Sequence, residues 1–220
     1  MIKALVTLAR TVGQSGYVLV FVFVVGCTAS PGVPPSVRPE LTPTGQLQAP
    51  RVSIRFSPVS WGFEEAAREY QAVWDAEGDR IVDAMEGVSG LKFVETRIEA
   101  IVYEGISRSG SQNSPMMMRA SYPAATKKAT LIHELGHRFI SQLKRRPRDL
   151  DEHRVLFLVL YDIWLKLYGK GFADEQVDVE QARRGVYDYR AAWEWALSLN
   201  EGQRAARFKG IATANRGGVD

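Results

Sequence analysis

LIHELGHRFI, residues 131–140, contains two of the three histidines in this 220-residue chain, spaced four apart with a glutamate between them. It lies within ATKKATLIHELGHRFISQLKRR, residues 125–146, which follows Pro123. There Leu131, Leu135 and Ile140 recur as one apolar face and Lys127, Lys128, Arg138 and Lys144 as a polar one, the spacing of an amphipathic helix. On such a helix positions i and i+4 lie one above the other, so His133 and His137 converge on one point off the backbone. Two neutral imidazoles so placed are half of a tetrahedral zinc site. Glu134 lies about 100° around the helix from His133. It can reach a water held at that point without being aimed at the ion, the placement of a general base. Leu135 faces the core, and Gly136 leaves room for another element to approach.

These residues match the HExxH signature of zincin metallopeptidases. The resemblance implies an α+β, zincin-like fold, Zn2+ as cofactor, and peptide hydrolysis by a zinc-activated water with Glu134 as base. A third ligand is then required. His153, the only other histidine, lies sixteen residues after His137, where DEHRVLFLVLYDIWLKLYG, residues 151–169, begins a second helical stretch. That interval resembles the SprT-like metallopeptidases, whose third histidine opens the helix after HExxH with an aromatic residue four positions on. Phe157 stands at that position, while Arg154 replaces the glycine that often follows the histidine. Two rivals stay open. A tight antiparallel hairpin about residue 147 would place Asp162 opposite His133 and His137, and Glu152 could ligate in the manner of zincins with a glutamate ligand. Asp151 is a further candidate, as hydrogen-bond partner to a ligating histidine.

Outward from this centre, residues 63–87 read as an amphipathic helix with Ala67, Tyr70, Val73, Trp74, Ile81, Ala84 and Met85 near one face, ended by Gly87 or Gly90. KFVETRIEAIVYEG (92–105) and SPMMMRASY (114–122) flank the polar turn SRSGSQN (107–113), so a hairpin is the simplest reading. The fold expected is therefore mostly helical with a small antiparallel sheet before the HExxH helix. By zincin analogy, the edge near residues 116–122 would receive an extended peptide by strand addition. Met116, Met117 and Met118 read as strand filling, and Tyr161 and Tyr168 as core. DEQVDVEQARRG (174–185) and DYRAAWEWALSLN (188–200) are further helical stretches.

The N-terminus has a different character. Lys3 and Arg10 precede the apolar run of residues 17–26, which has the length of a signal-peptide core and is too short to cross a bilayer as a helix. Val24-Val25-Gly26-Cys27 resembles the lipobox of bacterial lipoproteins, which implies lipidation at Cys27, a membrane anchor and a site in the bacterial cell envelope. Thr28 in place of Asp implies, on the same resemblance, sorting to the outer membrane. Residues 1–26 are thus read as signal peptide, 27–50 as a tether holding six of the ten prolines, and 51–220 as one metallopeptidase domain.

Cys27 is the only cysteine, so the domain beyond it has no disulfide, thiolate ligand or cysteine nucleophile. Net charge is +3, and loss of Lys3 and Arg10 with the signal lowers it to +1, which argues against nucleic acid as a partner. The expected partners are a peptide or protein substrate and the membrane. The alternatives are a non-catalytic zinc-binding envelope lipoprotein and a zinc hydrolase acting on a non-peptide cell-wall amide.

Overall fold

Val52, Ile54 and Phe56 alternate with polar residues at period two, and their burial starts the fold as strand β1 (Ser53–Pro58). The computed structural model describes residues 51–111 and 113–216. The stretches read from the sequence as signal peptide (1–26) and tether (27–50), with Cys27, lie outside the described residues. A single 3-10 turn, Trp61–Phe63, leads into α1 (Glu64–Ser89). This helix buries Ala67, Tyr70, Trp74, Ile81, Ala84 and Met85 and is closed by Gly90 in the left-handed conformation, φ 70°. A residue with no Cβ adopts that conformation without steric cost and ends the helix cleanly.

The crossover through α1 places β2 (Arg97–Tyr103) beside β1 and parallel to it, in register from Ser53 with Arg97 to Pro58 with Val102. β3 (Met116–Arg119) is also parallel to β2, Ala100 pairing with Met116 and Tyr103 with Arg119, in the order β1-β2-β3. The antiparallel sheet expected from the sequence is therefore wrong, and the reason is specific. The polar turn does fold back on β3, with Arg108 and Met117 exchanging backbone hydrogen bonds at 2.9 and 2.8 Å in an antiparallel bridge. The return segment of the connection, not β2, is β3's antiparallel neighbour. That segment occupies the outer edge of β3, and Ser107 Oγ accepts the Arg119 N–H as well.

The other edge is also covered. Gln71 on α1 accepts the Phe56 N–H and donates to the Ile54 carbonyl, while Trp74 Nε1 donates to the carbonyl of Val52. Side chains thus satisfy the edge groups that would otherwise invite another strand. Strand addition at residues 116–122, as expected from the sequence, meets an edge already paired at Met117 and Arg119.

After β3 the chain is helical: α2 (Ala124–Ile140), α3 (Glu152–Tyr168), α4 (Lys170–Gln181), α5 (Tyr189–Leu197) and α6 (Glu201–Arg216). The fold class is α+β. Val155 through Leu160 are buried without interruption, so α3 is covered on all sides and forms the centre of the helical half, against α1, α2, α4, α5 and α6.

On α2 the predicted apolar face is correct, with Leu131, Leu135 and Ile140 fully buried, but two of its outward charges are not outward. Lys127 is buried against Glu69, and Arg138 pairs with Glu95 at 2.5 Å while donating to the carbonyls of Ser109 and Ser114. Arg138 thereby ties the turn before β3 to α2. Tyr161 and Tyr168 spend their hydroxyls on Asp174 and Glu77.

Candidate metal centre

Gly136 sets the approach of α3 to α2. A Cβ there would lie 2.5 Å from Leu156 Cδ1, so the two helices meet at the one residue of this turn that lacks a side chain. His133 and His137 lie three before and one after that glycine, and His153 lies three before Leu156 on the same face of α3. Contact at Gly136 and Leu156 therefore brings the three imidazoles together. Asp151 fixes the start of α3 by accepting the Arg154 N–H at 2.9 Å, an N-cap that puts His153 in the first turn.

The ligand-capable atoms of His133, His137 and His153 all lie within 4.8 Å of one another. The Nε2 atoms of His133 and His137 are 3.1 Å apart, and the ring of His153 is centred 4.7 Å from that of His137 and 5.5 Å from that of His133. The group is close enough to hold a metal ion. Burial, with the two neighbouring imidazoles, holds His153 down to about 3 and keeps its ring neutral, the form in which a histidine coordinates.

Both rival ligands are engaged elsewhere. Asp162 receives Arg204 Nε at 2.9 Å and Nη2 at 2.5 Å, a buried pair between α3 and α6. Glu152 accepts from His137 Nδ1 at 2.9 Å and from Arg146 Nη1 at 3.0 Å, and these two partners hold its carboxyl down to about 2. Glu152 supports a histidine from behind. Asp151, expected to partner a histidine, instead accepts from Tyr187 Oη at 2.7 Å, and the Tyr187 ring lies on His153 with centroids 4.2 Å apart.

Glu134 is 4% exposed, and burial raises its pKa against the opposing pull of His133, His137 and Arg183. Among the described residues it has no ion-pair or hydrogen-bond partner, so its carboxyl is uncommitted beside the triad.

The sequence reading missed the wall supplied by α4 and α5. Glu180 is 2% exposed, with Oε1 2.7 Å from His133 Nδ1, although the approach angle leaves that contact short of a well-formed hydrogen bond. Its Oε2 accepts from Trp193 Nε1 at 2.9 Å, and Arg183 lies 3.3 Å away. Burial works to raise the Glu180 carboxyl, but His133 and Arg183 outweigh it and bring it to about 2. Tyr189 also approaches the triad, 4.9 Å from His153 between ring centroids and under the Arg183 guanidinium. One local signal pointed to Glu180. It shares the buried face of α4 with Ala173, Gln176 and Val177, where an acid needs a reason to be.

No protein-family model, curated protein or solved structure matches this chain.

Proposed function

We propose that the chain is a zinc-dependent metallopeptidase of the zincin type, with His133, His137 and His153 as ligands and Glu134 as general base. One observation carries this reading: three convergent imidazoles, two with their outer nitrogens turned to carboxylates, beside a buried and uncommitted glutamate one residue after the first of them. The donor set fits the ion. Nitrogens bound tetrahedrally to zinc lie about 3.3 Å apart, and the two Nε2 atoms stand at 3.1 Å. An all-imidazole set suits zinc, and three protein ligands leave the fourth position free, as in catalytic sites rather than closed structural ones. The small sheet preceding the active helix agrees with a zincin, although its strands run parallel.

When bound, zinc would supply a Lewis acid and a water that ionises near neutral pH. Glu134, 4% exposed and without an ion-pair partner among the described residues, would take the proton of the attacking water and deliver it to the leaving amine. Glu152 holds His137 from behind through Nδ1. The rings of Tyr187 and Tyr189 lie against His153, with centroids 4.2 and 4.9 Å away.

A second reading, a non-catalytic zinc-binding protein, has burial in its favour, since His133 is 1% exposed and the side chain of His137 is 11% exposed. The purified full chain distinguishes the readings. One equivalent of zinc, removed by chelator with loss of hydrolysis of a mixed peptide library and restored with it, is the result expected. Zinc without hydrolysis would leave the second reading standing, and no zinc would end both.

We further propose lipid anchoring in the bacterial envelope through Cys27. No helix among the described residues is long and apolar enough to cross a membrane. Cys27→Ser should leave an unprocessed precursor that takes up no labelled fatty acid. Processing and labelling equal to wild type would remove the lipobox from the reading.

A further inference from the structure

We infer that Glu180 is a positioning residue for the metal centre, fixing His133 with Nδ1–H toward its own carboxylate and Nε2 toward the ion. The inference rests on the metal-binding reading of the triad. Glu180 belongs to α4, more than forty residues downstream of His133, yet its Oε1 comes within 2.7 Å of Nδ1. A carboxylate orienting an imidazole must itself be held still, and Glu180 is held on both sides. Trp193 Nε1 donates to Oε2 at 2.9 Å, and Arg183 stands 3.3 Å from Oε1 as counter-charge. Trp193 is fixed in turn, its ring stacked on Phe157 with centroids 3.9 Å apart at 10°, and Phe157 meets His133 edge-on.

The arrangement forms a closed circuit, α2 to α4 to α5 to α3 and back to the triad. It differs from the support given to His137. There Glu152 does the same work at 2.9 Å but is 43% exposed and shared with Arg146, so solvent screens it. Glu180 acts where no water competes. An acceptor at Nδ1 decides which nitrogen of a histidine carries the proton and raises the basicity of the other, and losing such a partner costs about 10- to 100-fold in metal affinity.

The test uses the full chain, with zinc affinity measured by competition against a chromophoric chelator and the tautomer of His133 read from its ring nitrogen shifts. In the zinc-loaded wild type His133 should carry its proton on Nδ1. Glu180→Ala should weaken zinc binding about 10- to 100-fold. Glu180→Gln, which keeps an acceptor oxygen but no charge, should retain the Nδ1–H tautomer and lose less affinity than the alanine variant. Should Glu180→Ala fail to fold, the glutamine variant and the wild-type spectrum decide. Wild-type zinc affinity in both variants, or a proton on Nε2 of His133 in the loaded wild type, would overturn the inference while leaving the zinc site intact. Absence of zinc from the wild type would instead remove the metal-centre reading on which the inference stands.

Discussion

Glu134→Gln should lower turnover about 1000-fold, in the middle of the range a positioned general base supplies, while zinc content and melting temperature stay near those of the wild type. The surroundings of Glu134 bear on the second half of that expectation. Glutamine has the shape of glutamate, so the packing around a side chain 4% exposed is kept. The carboxyl has no ion-pair partner among the described residues to be stranded by loss of its charge. Glu134 is not among the three residues whose ligand atoms cluster, so the ligand set is intact. What is lost is the ability to accept a proton in the transition state, which appears in kcat with KM little changed. A variant as active as wild type on the same peptide would exclude Glu134 as the base. A variant that lost zinc together with activity would make it a ligand instead.

The site was legible in the sequence where it is local. A helical spacing of four sets His133 above His137 wherever the helix packs, and Gly136 announced a close approach that Leu156 makes. The direction of the sheet was not legible, because alternation of apolar and polar residues fixes which face a strand buries and says nothing of its neighbour's direction. β1 was the missing term. Val52, Ile54 and Phe56 carry the alternation, but Pro58 and the short length of the run hid it, and without β1 there was no crossover to suggest parallel pairing. Lys127 and Arg138 were read as solvent-facing because their partners, Glu69 and Glu95, belong to remote segments. The same limit hid Glu180 and Tyr187, which reach the histidines only through the return of α4 and α5 onto α3. It also left Asp162 open as a ligand, since its partner Arg204 lies on α6, a helix the sequence reading had not placed.

That choice of third ligand gives the second large effect. His153→Ala should weaken zinc binding by about 100- to 1000-fold. Structural zinc sites with four ligands bind with roughly 10–16 kcal/mol, so one ligand carries about 3–4 kcal/mol, and each 1.4 kcal/mol is a factor of ten. Two further substitutions turn this into an ordering. Glu152→Ala removes the acceptor from His137 Nδ1 but no donor from the triad, so its cost should fall within about 10- to 100-fold. Asp162→Asn should leave zinc affinity unchanged while lowering stability by roughly 3 kcal/mol, because it strands the buried Arg204 guanidinium between α3 and α6. Affinity and stability therefore separate. His153→Ala affects the ion far more than the fold, and Asp162→Asn the fold alone. Titration of the three variants with zinc, beside thermal unfolding of their metal-free forms, measures both. If Asp162→Asn lost zinc and His153→Ala kept it, the helices would have to meet as a tight hairpin, contrary to the packing of Leu156 on Gly136.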